Sequence, residues 1–201
     1  MSGQDRTEVI RLIACGVFKP ALEHLQLENT FPGLKTTLME SNLHLRPQVL
    51  RQRLEREFNL ARNAGEKVVC LYGNCFAGIN ELCEQHGVLK VPGDFCHEML
   101  LTPERYRQCM DRSAGTYFIE QEVVQSFDEH CRIPLELDDE ETRKYCFEHY
   151  QRVLYVRQPS DPEISDQLNE IATFLDLDME TQDADYSYIE SNLIDLILRC
   201  R

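Results

Sequence analysis

The sequence predicts an α/β fold, a single three-layer domain with a mostly parallel, Rossmann-like sheet, and three observations support it. Short apolar segments rich in β-branched residues alternate with segments of helical periodicity. The chain between neighbouring strands is long enough for a helix, which favours parallel pairing through right-handed crossovers. A length of 201 residues, 42% of them hydrophobic, suits one domain over residues 1–201.

The first half of the chain supplies three predicted strands. Arg46–Ala64 is the clearest helix, because its apolar residues recur mostly every three or four positions and Pro47 fits its first turn. Glu66–Tyr72 is almost entirely apolar, which is typical of a strand covered on both faces. The elements predicted around them are a strand over Glu8–Cys15, a helix from Lys19 or Pro20 to about Leu27, a helix over Phe76–His86 and a strand over Val88–Val91.

The second half continues the same alternation. Thr102 is the expected N-cap of a helix with Pro103 at its first position, and Ser160 is expected to cap a later helix. The acidic stretch 136–141 is interpreted as a solvated loop that runs into a helix start. The predicted elements are helices over Thr102–Asp111, Asp138–Tyr150, Asp161–Asp176 and Ser187–Arg199, and strands over Gly115–Glu120, Val153–Arg157 and Leu177–Thr181.

The charge balance argues against one broad class of function. Acidic residues number 35 and basic residues 21, so the formal net charge is −14. A surface of this kind repels phosphate backbones, and we expect no binding to nucleic acid. The start of the sequence has no apolar stretch behind a basic segment, so we expect no signal peptide. No apolar run of about 18 residues is present, so we expect no contact with a membrane.

The nine cysteines are the unusual feature of the composition. Their density is below that of a secreted disulfide scaffold, and an odd number of thiols cannot all pair. We therefore expect a reduced, cytoplasmic protein whose thiols either pack as small hydrophobic groups or bind metal or redox groups. The sequence contains no dinucleotide, Walker, nucleophile-elbow or HExxH motif, so nucleotide-dependent and serine-hydrolase functions are not supported.

Three of the cysteines follow predicted strands. Cys15 ends the first strand, Cys75 follows the second and Cys96 follows the third. The carboxyl ends of parallel strands lie at one edge of a sheet, where loops converge on ligands. If these thiols converge, with His97 as a fourth ligand, they form a metal site.

Small and polar residues near the strand ends are the candidates for contact with a cofactor. Gly73 and Gly93 let the backbone approach a ligand closely, and Asn74 lies in the same turn as Gly73. Thr116 and Tyr117 begin another predicted strand, where they either line the same crevice or pack. We predict all five as cofactor-binding residues.

Three thiolates suit two kinds of metal centre. Zinc is tetrahedral and would take three cysteines plus a histidine or an open position. An iron–sulfur cluster is the preferred cofactor, because three protein ligands leave one iron free for substrate. No CxxC spacing supports either centre, so packing of all the thiols remains the alternative. The cysteines for which we predict packing or a place on or near helices are Cys70, Cys83, Cys109, Cys131, Cys146 and Cys200.

Several segments, taken in order, resemble an uncharacterised bacterial and archaeal family called domain of unknown function 1638. In that family, segments of this kind carry cysteines that match Cys15, Cys75 and Cys96. The family's third segment usually reads His-Asp-Cys, whereas here His97 follows the cysteine. The resembling segments are LIACGVFKPALEHL at 12–25, LYGNCFAGI at 71–79, VPGDFCHEMLL at 91–101, GTYFI at 115–119 and DYSYIESNLIDLIL at 185–198.

The resemblance implies a biochemical setting but no defined activity. Members of the family often look like companions of corrinoid-dependent methyl-transfer systems in anaerobes. It therefore implies a metal-thiolate enzyme or accessory protein in one-carbon or redox metabolism, with such a system as partner.

Other functions stay open on the residues alone. One is a zinc enzyme that activates a thiol, and another is a small-molecule sensor. A third is a non-catalytic acidic partner or assembly factor whose cysteines only pack. A homodimer is expected only because homo-oligomers are common.

Overall fold

Two compact units make up the chain in the computed structural model, which describes residues 8–201. The first unit comprises residues 8–96 and 187–201, and the second comprises residues 97–186. Residues 1–7, part of the start in which no signal peptide is expected, lie outside the described residues. Within 8–201, no helix combines the length and the apolar composition that a membrane crossing needs. The expected single domain stays a prediction.

A four-stranded parallel sheet forms the centre of the first unit. Its strands run in the order β2-β1-β3-β4, and every neighbouring pair is parallel. The two central strands, β1 and β3, are largely buried, which explains why they are mostly apolar, with Arg11 in β1 and Lys67 in β3 as the charged exceptions. The strand bounds are Ile10–Cys15 for β1, Leu34–Met39 for β2, Lys67–Leu71 for β3 and Leu89–Lys90 for β4.

Helices connect these strands and bury one apolar face each. In α3, Leu50, Leu54 and Phe58 recur at four-residue steps and are buried, because that spacing places them on one side of the helix. Short 3₁₀ turns over Gly16–Phe18 and Ser41–Leu45 follow β1 and β2. The helices of this unit are α1 at Lys19–Leu25, α2 at Leu27–Thr30, α3 at Pro47–Asn63, α4 at Ile79–His86 and the closing α10 at Ser187–Arg199.

The second unit has its own three-stranded parallel sheet, in the order β5-β6-β7. Its core packs Ile119 and Val153 of the sheet with Leu168 and Ile171 of a helix. The strands are β5 at Thr116–Ile119, β6 at Arg152–Arg157 and β7 at Asp178–Asp183. The helices are α5, which starts at Cys96 and ends at Leu101, α6 at Pro103–Arg112, α7 at Gln121–Gln125, α8 at Glu140–Phe147 and α9 at Ser165–Leu175, with a π-helical turn at Asp128–Arg132.

Polar side chains cap the first turns of two helices in the second unit. The Thr102 hydroxyl accepts a hydrogen bond from the Arg105 nitrogen at 3.4 Å, so the predicted N-cap of α6 is confirmed. In the acidic loop, the Asp139 carboxylate accepts from the Thr142 nitrogen at 2.8 Å and caps α8. The prediction that Ser160 caps this later helix is wrong, because α9 begins at Ser165.

The α/β class with mostly parallel, Rossmann-like strands flanked by helices is confirmed, with three differences in detail. The strands divide between two sheets, whereas the sequence predicts one. Leu34–Met39 forms the edge strand β2, which the apolar pattern does not indicate. Residues 97–101 and Gln121–Gln125 are helical without having been predicted so.

Candidate metal-thiolate site

The carboxyl edge of the first sheet has a topological switch point between β1 and β3. The chain leaves β1 toward β2 on one side, and leaves β3 toward β4 on the other. Such a point opens a crevice where ligands bind. Cys15 is the last residue of β1, and Tyr72 directly follows β3. Because Ala14 pairs with Leu71, Cys15 and Tyr72 lie level at the rim of this crevice.

Three thiols meet beside the switch point. The Cys96 thiol forms side-chain hydrogen bonds with the thiols of Cys15 and Cys75. Cys15 is buried, whereas Cys75 and Cys96 are partly exposed as whole residues. We call Cys15, Cys75 and Cys96 the thiol cluster. It brings together the three cysteines that the sequence places at strand ends.

The hydrogen bond between Cys75 and Cys96 shifts the pKa values of these two thiols in opposite directions. Hydrogen bonds with Cys15 and Cys75, together with burial, raise the pKa of Cys96 well above its usual value. The pKa of Cys75 is lowered, mainly because Cys96 donates to its sulfur and further because the Lys90 ammonium favours the thiolate. Cys75 is therefore the more acidic thiol of this pair.

The thiol cluster as it stands does not enclose an ion. Over residues 8–201, no group of three or more His, Cys, Asp or Glu side chains has the arrangement of a metal site. Cys15 and Cys75 each contact Cys96. Their side chains would have to turn toward a common centre to bind an ion. A metal centre therefore stays a prediction.

Close backbone packing holds the two loops of the cluster together. A Cβ atom on Gly73 would lie 2.8 Å from the Asp94 carbonyl oxygen and 3.2 Å from the Cys96 nitrogen. Asn74 donates to the same Asp94 oxygen from its backbone nitrogen at 2.7 Å. Its side-chain Nδ2 also donates to Asp94 Oδ1 at 2.6 Å. Gly73 and Asn74 thus set the spacing between the loop that carries Cys75 and the loop that carries Cys96.

Lys90 brings a positive charge to the cluster, and the sequence analysis does not identify it. Its Nζ donates to the carbonyl oxygens of Val91 at 3.4 Å and Gly93 at 3.2 Å. These bonds fix the ammonium group near Cys75, whose ionisation it favours. Gly93 therefore contributes its carbonyl oxygen, and its φ of 135° is one that a glycine adopts without strain.

Tyr72 is the second residue that the sequence analysis does not identify. Its side chain is 1% exposed, and its hydroxyl has no hydrogen-bond partner in the described part of the chain. Burial and the neighbouring thiols of Cys15, Cys70, Cys75 and Cys96 raise its pKa. The one indication in the sequence that Tyr72 lies at this site is its position between Leu71, the last residue of β3, and Gly73.

A second thiol pair lies deeper in the same unit. The Cys70 thiol in β3 forms a hydrogen bond with the Cys83 thiol in α4, and both residues are buried. These are two of the cysteines predicted to pack, and their burial agrees with that role.

His97 belongs to the second unit, where it has its own partners. Its Nε2 lies 3.1 Å from Glu120 Oε2, and its ring stacks on Phe118 at 5.4 Å between centroids. Glu120 is buried at 7% exposure directly after β5. The role of His97 as a fourth ligand stays a prediction.

Thr116 and Tyr117 also have partners inside the second unit. The Thr116 hydroxyl donates to the Ser113 carbonyl at 2.7 Å and accepts from Arg152 Nε at 2.8 Å. The Tyr117 hydroxyl lies 3.2 Å from the Cys131 sulfur. Thr116 therefore links β5 to β6, and Tyr117 links β5 to the π-helical turn. Contact with a cofactor stays a prediction for both residues.

The comparisons with known proteins identify a family but no activity. No curated protein shows significant similarity to the chain. The family model described as "Protein of unknown function (DUF1638)" matches residues 38–193, a range that includes Cys75 and Cys96 and begins after Cys15. Because this match covers well over half of the sequence, the chain belongs to the DUF1638 family of proteins of unknown function.

Proposed function

We propose that the first unit is a metal-thiolate protein in which Cys15, Cys75 and Cys96 bind one soft metal ion. The observation that supports this most is the contact between thiols from three separate strand ends at a switch point. Around one tetrahedral zinc, with Zn–S bonds of about 2.3 Å, sulfurs lie about 3.8 Å apart. Cys96 contacts both other thiols, so zinc binding would require loss of the thiol protons and rotation of the Cys15 and Cys75 side chains toward a common centre.

The contact of Cys96 with both other thiols favours a single ion over the iron–sulfur cluster expected from the sequence. A four-iron cluster holds its cysteines on different irons, so their sulfurs lie farther apart than sulfurs on one ion. The contact of Cys96 with both other thiols argues against such a separation.

The proposed chemistry is activation of a small ligand at an open coordination position. Three protein thiolates leave the fourth position of zinc free, as in catalytic zinc sites. Zinc held by these residues would lower the pKa of a substrate thiol, which would release its proton to solvent; the resulting thiolate could then take a methyl group from a donor as the bond between the methyl group and its donor breaks. A corrinoid methyltransferase system as partner is part of the proposal and rests on the family resemblance alone.

Metal analysis of purified protein tests this function. The protein is purified without oxygen, and zinc, iron and sulfide are measured per chain for wild type and for Cys15→Ser, Cys75→Ser and Cys96→Ser. The matched control is Cys200→Ser, a buried thiol of the same unit outside the cluster. Wild type and the control should hold about one zinc each, and each cluster variant should lose it.

Two outcomes would change the proposal. Iron and sulfide in matching amounts would replace the single ion by a cluster. Wild-type protein that takes up no metal on reconstitution, and that behaves like Cys96→Ser, would contradict the proposal. That result would favour an acidic partner or assembly factor whose cysteines only pack.

A further inference from the structure

Tyr72 carries a buried hydroxyl group that no described residue satisfies. The residue is 1% exposed, so bulk water does not reach it, and residues 8–201 provide no hydrogen-bond partner. Buried polar groups in folded proteins are almost always paired, because an unpaired one is destabilising. A phenylalanine would fill nearly the same volume without that penalty.

The surroundings of this hydroxyl show where a partner would come from. The groups that act on it electrostatically are, in decreasing order, the thiols of Cys15, Cys70, Cys75 and Cys96. The strand register also sets Tyr72 level with Cys15. The hydroxyl is therefore within the electrostatic influence of the thiol cluster and makes no hydrogen bond to any of its sulfurs.

We infer that Tyr72 is a positioning residue that donates its hydroxyl proton in a hydrogen bond to a metal-bound thiolate of the thiol cluster. This inference rests on the proposed metal-thiolate function. Metal binding removes the thiol protons, so each sulfur becomes a charged acceptor and Cys96 no longer donates to its neighbours. Hydrogen bonds to charged acceptors are stronger than those between neutral groups.

The net charge of the proposed site also favours a hydrogen-bond donor at Tyr72. Three thiolates on a divalent ion leave one net negative charge in a chain whose net charge is already −14. Lys90 supplies the positive charge near Cys75. Tyr72 supplies a neutral donor on the Cys15 side, and metal sites depend on such partners of their ligands.

The test compares Tyr72→Phe with Tyr155→Phe. Tyr155 is the matched control, because it is 2% exposed, lies in the second unit and donates its hydroxyl to Asp161 Oδ2 at 2.5 Å. Three quantities are measured on the full chain: zinc affinity by competition with a chromophoric chelator, the cobalt–thiolate charge-transfer absorption of the Co²⁺ form, and Tm without metal.

The expected results differ in direction for the two variants. Tyr72→Phe should weaken zinc binding by about 10-fold, shift the cobalt–thiolate band and leave the metal-free Tm unchanged or higher. Tyr155→Phe should lower the metal-free Tm and leave both the zinc affinity and the cobalt spectrum unchanged.

Three other results would refute either the role of Tyr72 or the proposed function. If Tyr72→Phe binds zinc like wild type with an unchanged cobalt spectrum, the role of Tyr72 is refuted while the metal site stands. If it lowers the metal-free Tm as Tyr155→Phe does, its hydroxyl has a structural partner and the inference is refuted. If wild type binds neither zinc nor cobalt, the proposed function fails and the inference fails with it.

Discussion

Replacing Gly73 by alanine adds one methyl group where the loops after β3 and β4 approach each other. The new Cβ would lie 2.8 Å from the Asp94 carbonyl oxygen, with Phe95 Cα and the Cys96 nitrogen at 3.2 Å. All three neighbours are backbone atoms, so no side chain can rotate away. The Asp94 oxygen would have to move by about 0.6 Å to reach the ordinary contact distance of 3.4 Å.

The magnitude follows from two contributions. Overpacking of this kind costs about 1–3 kcal/mol. Displacement of Asp94 weakens its hydrogen bonds with Asn74, now 2.7 Å and 2.6 Å long, and contributes about 1 kcal/mol more. We expect the free energy of unfolding of Gly73→Ala to fall by about 2–4 kcal/mol. Because Cys96 follows Asp94 in the same loop, the proposed zinc site predicts weaker zinc binding in this variant.

Urea denaturation of the metal-free protein and a zinc competition titration measure the two effects. Gly65→Ala is the control, because Gly65 has a φ of +72° and no heavy atom within 4 Å of an added Cβ. It should lose about 1–2 kcal/mol through backbone strain and keep its zinc affinity.

Two results would refute the reasoning about Gly73. One is a Gly73→Ala variant whose stability lies within about 0.5 kcal/mol of wild type with full zinc affinity. The other is an equal loss of zinc in Gly65→Ala, which would trace the effect to general destabilisation.

Two further predictions concern the two sheets. Arg152→Met should lower the free energy of unfolding by about 2–4 kcal/mol, because buried Arg152 donates to Thr116 Oγ1 and to the Cys109 carbonyl oxygen. An unchanged urea midpoint would contradict this. Arg11 donates to Glu66 at 2.8 and 2.9 Å, which holds the pKa of Glu66 below 4.5. The folded pKa is then lower than the unfolded one, so this stabilisation is complete above pH 4.5 and is lost as the pH falls through the folded pKa. The stability gap between wild type and Glu66→Gln should be widest near neutral pH and close on acidification; a gap independent of pH between about 7 and 3 would contradict it.

The contact among Cys15, Cys75 and Cys96 follows from features that a sequence displays. Parallel strands end at the same edge of a sheet, so residues that follow consecutive strands lie near one another. The glycines beside these cysteines also indicate close backbone approach, which Gly73 shows at Asp94. What the sequence does not display is the unpaired hydroxyl of Tyr72, because pairing depends on every neighbour in three dimensions.

The missed elements have physical reasons of their own. The edge strand β2 reads LKTTLM, with polar residues at its centre, because an edge strand needs no continuous apolar run. Asp161 resembles the first turn of a helix, yet its carboxylate accepts from the Tyr155 hydroxyl and the Gln158 nitrogen, and α9 starts later. His97 pairs with Glu120, 23 residues away, and no local pattern indicates such a partner.

The first unit consists of two stretches of chain, 8–96 and 187–201, with the whole second unit between them in sequence. Its last helix, α10, packs on β3, and the Tyr188 hydroxyl donates to the Pro92 carbonyl oxygen at 3.1 Å. On the ribosome, β1 and β3 emerge long before α10 is made, and N-terminal segments fold first during synthesis. The apolar residues Leu193 and Ile197, which α10 buries, are therefore the last part of that core to arrive. The first sheet therefore completes its apolar packing only after the whole second unit has been synthesised.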